Sequence, residues 1–196
     1  MIIGLTGRSG CGKSFAANFF EIKGFKIIDF DKICKSIYEP GSKCLNEVIE
    51  HFGTDILNDN GTLNRKRLAE IVFNNQEMLQ KLNKITHRYI YNEAVKLKEK
   101  YKNKHIIYDA PLLFEANLDV ECDYIISILS NEKTQIERIV KRDNISEELA
   151  KKRLASQKPN NFFIERSDFY IMNNSTIEDF KKELNNVYEK IFPDFL

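Results

Sequence analysis

Residues 1–14 read Met1-Ile2-Ile3-Gly4-Leu5-Thr6-Gly7-Arg8-Ser9-Gly10-Cys11-Gly12-Lys13-Ser14, and this stretch decides the fold. Gly7 to Ser14 fits G-x-x-x-x-G-K-[ST] at every fixed position, a pattern that carries weight only between a strand and a helix. Ile2, Ile3 and Leu5 supply the apolar strand, and Phe15, Ala16, Ala17, Phe19, Phe20 and Ile22 supply the helix. The residue types suit a polyphosphate. Gly7, Gly10 and Gly12 allow backbone conformations closed to residues with a Cβ, so successive N–H groups can converge on anionic oxygens. A helix starting near Gly12 adds unpaired N–H groups and the positive end of its dipole. Lys13 then reaches the β- and γ-phosphates, and the Ser14 hydroxyl can sit on Mg²⁺. The bland alternative is a glycine-rich turn joining strand to helix; a chance match in a chain this long is roughly a one-in-a-hundred event or rarer.

The rest of the chain gives this loop a setting. After the first helix, which Gly24 should stop, Phe25 to Asp29 reads as a second strand ending in Asp29-Phe30-Asp31. Strand carboxyl ends in a parallel sheet face the ligand crevice, so these acids suit a role there; they equally suit capping a helix over Lys32 to Tyr38. Pro40-Gly41 is a turn, Ser42 can cap a helix over Lys43 to Phe52, and Asn58-Asp59-Asn60-Gly61 is a strong turn. Asn64 can cap Arg65 to Phe73. Further helices are expected over Gln76 to Leu82 and, after Thr86-His87-Arg88, from Tyr89 to about Lys102.

His105 to Asp109 is an apolar run ending in an acid, as a strand behind a Mg²⁺-organising aspartate would be, although hydrophobics followed by Asp are common. Tyr124 to Leu129 and Phe169 to Met172 read as further strands. Glu132 to Asp143 and Glu147 to Gln157 read as consecutive helices, with Arg138 and Arg142 on one face. Such arginines can close over a triphosphate or merely form solvated ion pairs. Ser175-Thr176-Ile177-Glu178 reads as a capping box opening the final helix.

Composition narrows the class. At 196 residues the chain suits one domain, or one with an inserted subdomain. Lys plus Arg number 30 against 29 Asp plus Glu, so no overall field recruits nucleic acid or an anionic membrane. Cys11, Cys34, Cys44 and Cys122 lack C-x-x-C spacing, which speaks against zinc and for reduced thiols. With no membrane-length apolar run and no signal-peptide pattern, a cytoplasmic protein is expected. Cys11, near converging N–H groups, is either a reactive thiol or an inert small filler. His51 and His105 read as structural.

In this order the pieces resemble the dephospho-coenzyme A kinase family over nearly the whole chain. Besides the loop, the resemblance rests on Ile27-Ile28-Asp29-Phe30-Asp31, Phe52-Gly53, Leu63 to Leu68, Ile85-Thr86-His87 and above all Asp109-Ala110-Pro111-Leu112-Leu113-Phe114-Glu115. Gln135 with Arg138 and Arg142, Arg153 with Gln157, and Asp168 with Asn173 complete it. It implies an α/β P-loop kinase fold: a central five-stranded parallel sheet flanked by helices, within one domain over residues 1–196. Residues 32–103 would be a helical CoA-binding region and 132–157 a helical lid.

The implied reaction is ATP-dependent phosphorylation of the ribose 3′-hydroxyl of dephospho-CoA, with Mg²⁺, in a monomer or small homo-oligomer. Implied ATP contacts are Gly7, Ser9, Gly10, Cys11, Gly12, Lys13, Ser14 and Phe15, and Mg²⁺ contacts are Ser14 and Asp109. Asp31 would accept or orient the acceptor proton, Lys13 would bind the transferring phosphate, and Arg142 with Arg138 would clamp it. His87, Arg65 and Asp109 would join Asp31 at the acceptor. Phe15 stands where the family usually has Thr, Arg88 replaces the proline after His87, Asn64 stands for a frequent Asp, and Asn174-Ser175 lacks a frequent glycine. Rival readings are a uridine or nucleoside monophosphate kinase, a GTPase, for which Asn83-Lys84-Ile85-Thr86 lacks the final Asp of a guanine-reading motif, and a nucleotide-binding regulatory module.

Overall fold

Five short apolar runs pair into one parallel sheet, in a computed structural model that describes residues 1–73 and 75–193. They are β1 (Ile2–Thr6), β2 (Lys26–Asp29), β3 (Ile106–Asp109), β4 (Tyr124–Leu129) and β5 (Phe169–Met172), in the order β2-β3-β1-β4-β5. Leu5 of the central strand lies opposite Asp109 on one side and Ile126 on the other, and Ile128 lies opposite Ile171. Ile3, Leu5, Ile107, Ile126 and Ile128 are fully buried. That is why these strands are continuously apolar instead of alternating: both faces of the sheet are covered.

Contact density divides the chain into two compact units, one formed by Met1–Ile28 with the chain from Asn103 onward, the other by Asp29–Lys102. In the first, α1 (Lys13–Ile22) and α9 (Ile177–Ile191) contribute Ala16, Phe20, Phe180, Leu184 and Val187 to the core on the sheet. His105 packs its ring 5.4 Å from Phe25 and 5.1 Å from Phe192, and burial lowers its pKa, which suits a structural imidazole. After β4 come α6 (Glu132–Asp143), α7 (Glu147–Ala155) and α8 (Asn160–Ile164), begun by Asn131, Ser146 and Pro159. Ile136, Ile139, Ala150 and Leu154 bury the α6–α7 contact. The five-residue α8 is too short to leave a periodic signature, and sequence reading did not anticipate it. The final helix does open on a capping box, but one residue later than expected: Thr176 and Asp179 form it, with the Asp179 N–H donating to Thr176 Oγ1 at 3.1 Å.

The second unit is helical: α2 (Phe30–Ser36), α3 (Lys43–Phe52), α4 (Arg65–Phe73) and α5 (Gln76–Lys100), with a 3-10 turn at Thr54–Ile56. An isolated antiparallel bridge joins Leu57 to Leu63 around the turn at Asn58–Gly61. Ser42 caps α3, and Asn64 accepts from the N–H of Arg67 at 3.1 Å at the start of α4.

One expectation fails here. Instead of two helices broken around Thr86-His87-Arg88, a single 25-residue helix runs through. Arg88 keeps the N–H that a proline would remove, and the weakly amphipathic middle is held by neighbours. Ile85 is buried, Tyr38 Oη lies 2.6 Å from Thr86 Oγ1, Arg88 pairs with Glu47, and Tyr89 donates to Glu47 at 2.8 Å.

Candidate active site

The loop between β1 and α1 takes its shape from positions where only glycine fits. Gly7 has φ 145°, and a Cβ there would be driven into the carbonyl oxygen of Ile128. Gly12 has φ 101°, and a Cβ there would collide with the side-chain amide of Asn173. As the cap of α1, Gly12 offers no side-chain hydrogen bond. The N–H groups of Lys13 and Ser14, in the first helical turn, therefore have no intrahelical partner, and the dipole's positive end lies with them. The carbonyls are tied off from behind. Asn173 Nδ2 donates to the Cys11 oxygen at 2.8 Å, and Arg138 Nη1 donates to the Gly10 oxygen at 3.3 Å. With the Gly10 and Cys11 carbonyls engaged, the start of α1 suits an anion.

Strand order explains why the loop stands where it does. β1 lies between β3 and β4, so the chain leaves β1 at a point where successive connections run to opposite sides, and ligands of open parallel sheets bind at such switch points. At the end of β3, Asp109 is buried and pairs with the Lys13 ammonium, their side chains being 10% and 14% exposed. Pro111 follows two residues later; its carbonyl accepts from Thr6 Oγ1 at 3.3 Å.

The two arginines expected to act together have different partners. Arg138 points its guanidinium at the loop, reaching the Gly10 and Cys11 oxygens and Asn173 Oδ1. Arg142 grips Asp143 with two bonds of 2.7 and 2.9 Å, and Arg153 of α7 pairs with the same carboxylate. Hydrogen bonds from Arg142, then from Arg153, hold the Asp143 carboxyl down at about 2, and that bond raises the pKa of Arg142 in turn.

Cys11 is the filler of the two alternatives. It is 1% exposed, and desolvation pushes its thiol up to about 11, outweighing nearby backbone N–H groups and Lys13. The reactive-thiol alternative is disfavoured because burial withholds the thiol from water and keeps it protonated, although backbone N–H groups of Cys11 and Lys13 reach it.

In the helical unit, Asp29 caps α2 by accepting from the Lys32 N–H at 2.9 Å, and Asp31 follows, exposed, in the first turn. Arg65 lies over the ring of Tyr38 at 5.5 Å, and both Arg65 and Asp31 bear electrostatically on Cys34, whose thiol burial raises. His87 is exposed on α5. Asp31, Arg65 and His87 are thus open to a ligand.

Among the described residues no group of three or more His, Cys, Asp or Glu side chains can hold a metal ion. A cage of protein ligands does not fit. A Mg²⁺ that keeps its waters and arrives on a nucleotide does, since it asks the protein for one or two hard oxygens, such as those of Ser14 and Asp109. Sequence reading did not see what Arg8, Gln135, Gln157 and Asn173 do: their partners lie 126 to 162 positions away, and no local pattern marks such contacts.

Among the described residues no helix is long and apolar enough to cross a membrane. The family model for dephospho-CoA kinase matches residues 1–179. A dephospho-CoA kinase of Fusobacterium nucleatum is 46% identical over 191 residues, covering 97% of this chain and 98% of that one. The corresponding enzyme of Halalkalibacterium halodurans is 35% identical, covering 99% of both. Among solved structures, dephospho-CoA kinase from Campylobacter jejuni superposes with a TM-score of 0.71 at 30% identity, covering 100% of this chain and 98% of that one. A shikimate kinase from Acinetobacter baumannii, at TM-score 0.51 and 15% identity over 100% and 94%, shares the fold alone. With the loop, the buried Lys13–Asp109 pair and the parallel sheet in place, these matches show that the chain belongs to the dephospho-CoA kinase family.

Proposed function

We propose that this protein transfers the γ-phosphoryl group of ATP to the ribose 3′-hydroxyl of dephospho-CoA, giving coenzyme A and ADP, the last step of CoA biosynthesis. The observation that carries the reading is the intact phosphate loop with Lys13 paired to the buried Asp109, in a chain of this family. Lys13 exchanges that pairing for the transferring phosphate, while loop N–H groups and the end of α1 hold the nucleotide. Phosphoryl transfer asks a protein mainly for positioning and charge neutralisation. Gly7, Ser9, Gly10, Cys11, Gly12, Ser14 and Phe15 line the nucleotide, Ser9 through its place in the loop since its own polar groups are engaged by glutamines.

The acceptor oxygen forms a bond to the γ-phosphorus as the bond to the β–γ bridging oxygen breaks, and Asp31 takes or orients the hydroxyl proton. Arg142, freed from Asp143, and Arg138, already at the loop carbonyls, neutralise charge on the transferring group. Arg65, His87 and Asp109 contribute to the acceptor site. Ser14 and Asp109 would hold Mg²⁺, which would offset charge on the phosphates. We further infer a cytoplasmic enzyme acting as a monomer or small homo-oligomer, with no nucleic-acid or membrane partner.

The test is mass-resolved phosphorylation of dephospho-CoA by ATP and Mg²⁺, with uridine and nucleoside monophosphates as competing acceptors and Lys13→Ala as control. A product one phosphoryl group heavier, formed only from dephospho-CoA and lost in the control, is the expected result. Transfer to another acceptor alone would refute the substrate, and ATP binding without any transfer would favour a regulatory module.

A further inference from the structure

All three polar groups of Ser9 are held from outside the loop. Its N–H donates to Gln157 Oε1 at 3.0 Å, its hydroxyl oxygen accepts from Gln157 Nε2 at 3.0 Å, and its carbonyl accepts from Gln135 Nε2 at 3.0 Å. The neighbouring loop residue answers in the opposite direction. Arg8 Nη2 donates to the Leu154 carbonyl at 2.8 Å, in the last turn of α7, and Nη1 lies 3.5 Å from Gln135 Oε1. A last-turn carbonyl has no intrahelical partner and carries the negative end of the dipole, so it favours a cation. Gln157 itself stands two residues past the end of α7, with its N–H on the same Leu154 carbonyl at 3.1 Å.

Two features separate this arrangement from ordinary packing. Ile136, Ile139, Ala150 and Leu154 pack α6 against α7, so these two helices hold to each other without Gln157. Arg8 also buries its Nε without a hydrogen-bond partner, a cost that an apolar side chain of equal length would avoid. Both side chains instead spend their hydrogen bonds on joining the loop to the helices.

We propose that Arg8, Gln135 and Gln157 form a clasp that holds the phosphate loop in register with the α6–α7 pair, with Gln157 acting as a positioning residue for ATP. Nucleotide affinity is thereby coupled to where α6–α7 stands. The proposal rests on reading Gly7 to Ser14 as the ATP site.

The experiment uses the full chain with Gln157→Leu, Arg8→Met and the double variant, measuring ATP affinity by calorimetry, KM for dephospho-CoA, and the thermal midpoint. Each single change should weaken ATP binding about five- to tenfold, the scale of a lost hydrogen bond to a constrained group. KM for dephospho-CoA should stay within about twofold and the midpoint within about 3 °C, since one interaction of roughly this size is at stake. Because both changes open the same clasp, the double variant should be hardly worse than the worse single one. Unchanged ATP affinity in Gln157→Leu, or simple additivity in the double variant, would overturn the proposal. If Gln157→Leu does not fold, Gln157→Glu keeps the length and an acceptor for the Ser9 N–H but adds negative charge beside the polyphosphate. It should weaken ATP binding in a way that added salt relieves, and unaltered affinity would again refute the clasp. Two outcomes separate the two readings: wild-type protein that binds no ATP, or binds it as well after Lys13→Ala, defeats the loop assignment, whereas wild-type binding lost in Lys13→Ala but matched by the Gln157 variants defeats only the clasp.

Discussion

The ammonium of Lys13 and the carboxylate of Asp109 meet between the first turn of α1 and the end of β3, each largely shielded from water. Removing one member of such a pair leaves the other charge uncompensated. Asp109→Asn should therefore lower the unfolding free energy by about 3 kcal/mol without ligand. Saturating ATP without Mg²⁺ should restore more stability to this variant than to the wild type, because a triphosphate gives Lys13 a new partner. Urea denaturation with and without ATP measures both quantities, and equal ATP stabilisation in the two proteins would contradict release of Lys13 to the phosphate.

Gly12 is constrained twice, by its φ of 101° and by the Asn173 amide standing where a Cβ would go. Gly12→Ala should cost about 1–3 kcal/mol in backbone strain and move Asn173 off the Cys11 carbonyl. We expect ATP binding to be lost before the fold is, with circular dichroism unchanged at 25 °C. By contrast, nothing lies within 4 Å of a Cβ at Gly41, where only the φ of 81° resists substitution, so Gly41→Ala should spare ATP binding.

Buried thiols give the protein an alkaline limit. Burial raises Cys11 and Cys44 to about 11 and Cys122 to about 12, against an ordinary value of 9.0. The folded state therefore holds these protons over a range where the unfolded chain releases them, so the thiols' contribution to stability is constant below pH 9.0 and falls as pH rises toward about 11 to 12. Denaturation midpoints across pH 7 to 11 test the sign. Iodoacetamide at pH 8 should label Cys34, which is partly exposed, before Cys11; fast labelling of Cys11 would show that its side chain is not held in the core.

Arg88 lies within an unbroken helix, where its side chain pairs with Glu47 while remaining 56% exposed. Arg88→Ala should cost under about 1 kcal/mol, as exposed pairs do. Arg88→Pro should cost about 3 kcal/mol or kink α5, because it removes an interior N–H and clashes with the preceding turn. Thermal unfolding of the two variants distinguishes the contributions of charge and backbone. Similar midpoints would mean that α5 tolerates a break at this position.

Much of the molecule was written locally. The strand, loop and helix over residues 1–22 follow from an apolar run, three glycines and a second apolar run, because each depends on neighbours within a few positions. The helices from Lys43 and Arg65 start where Ser42 and Asn64 predict, since a cap acts across three residues. Around Thr86-His87-Arg88 the local signal was ambiguous, and long-range contacts to Tyr38 and Glu47 accompany a continuous helix. The direction of the Cys11 side chain, the separate partners of Arg138 and Arg142, and the bonds from Gln135, Gln157 and Asn173 to the loop were decided by tertiary structure alone. These contacts join residues brought together only when the sheet orders its strands, and their donors and acceptors leave no periodic trace in the chain. The sequence by itself determined that a phosphate loop forms and what chemistry its residues can perform; the tertiary structure decided which side chains hold that loop in place.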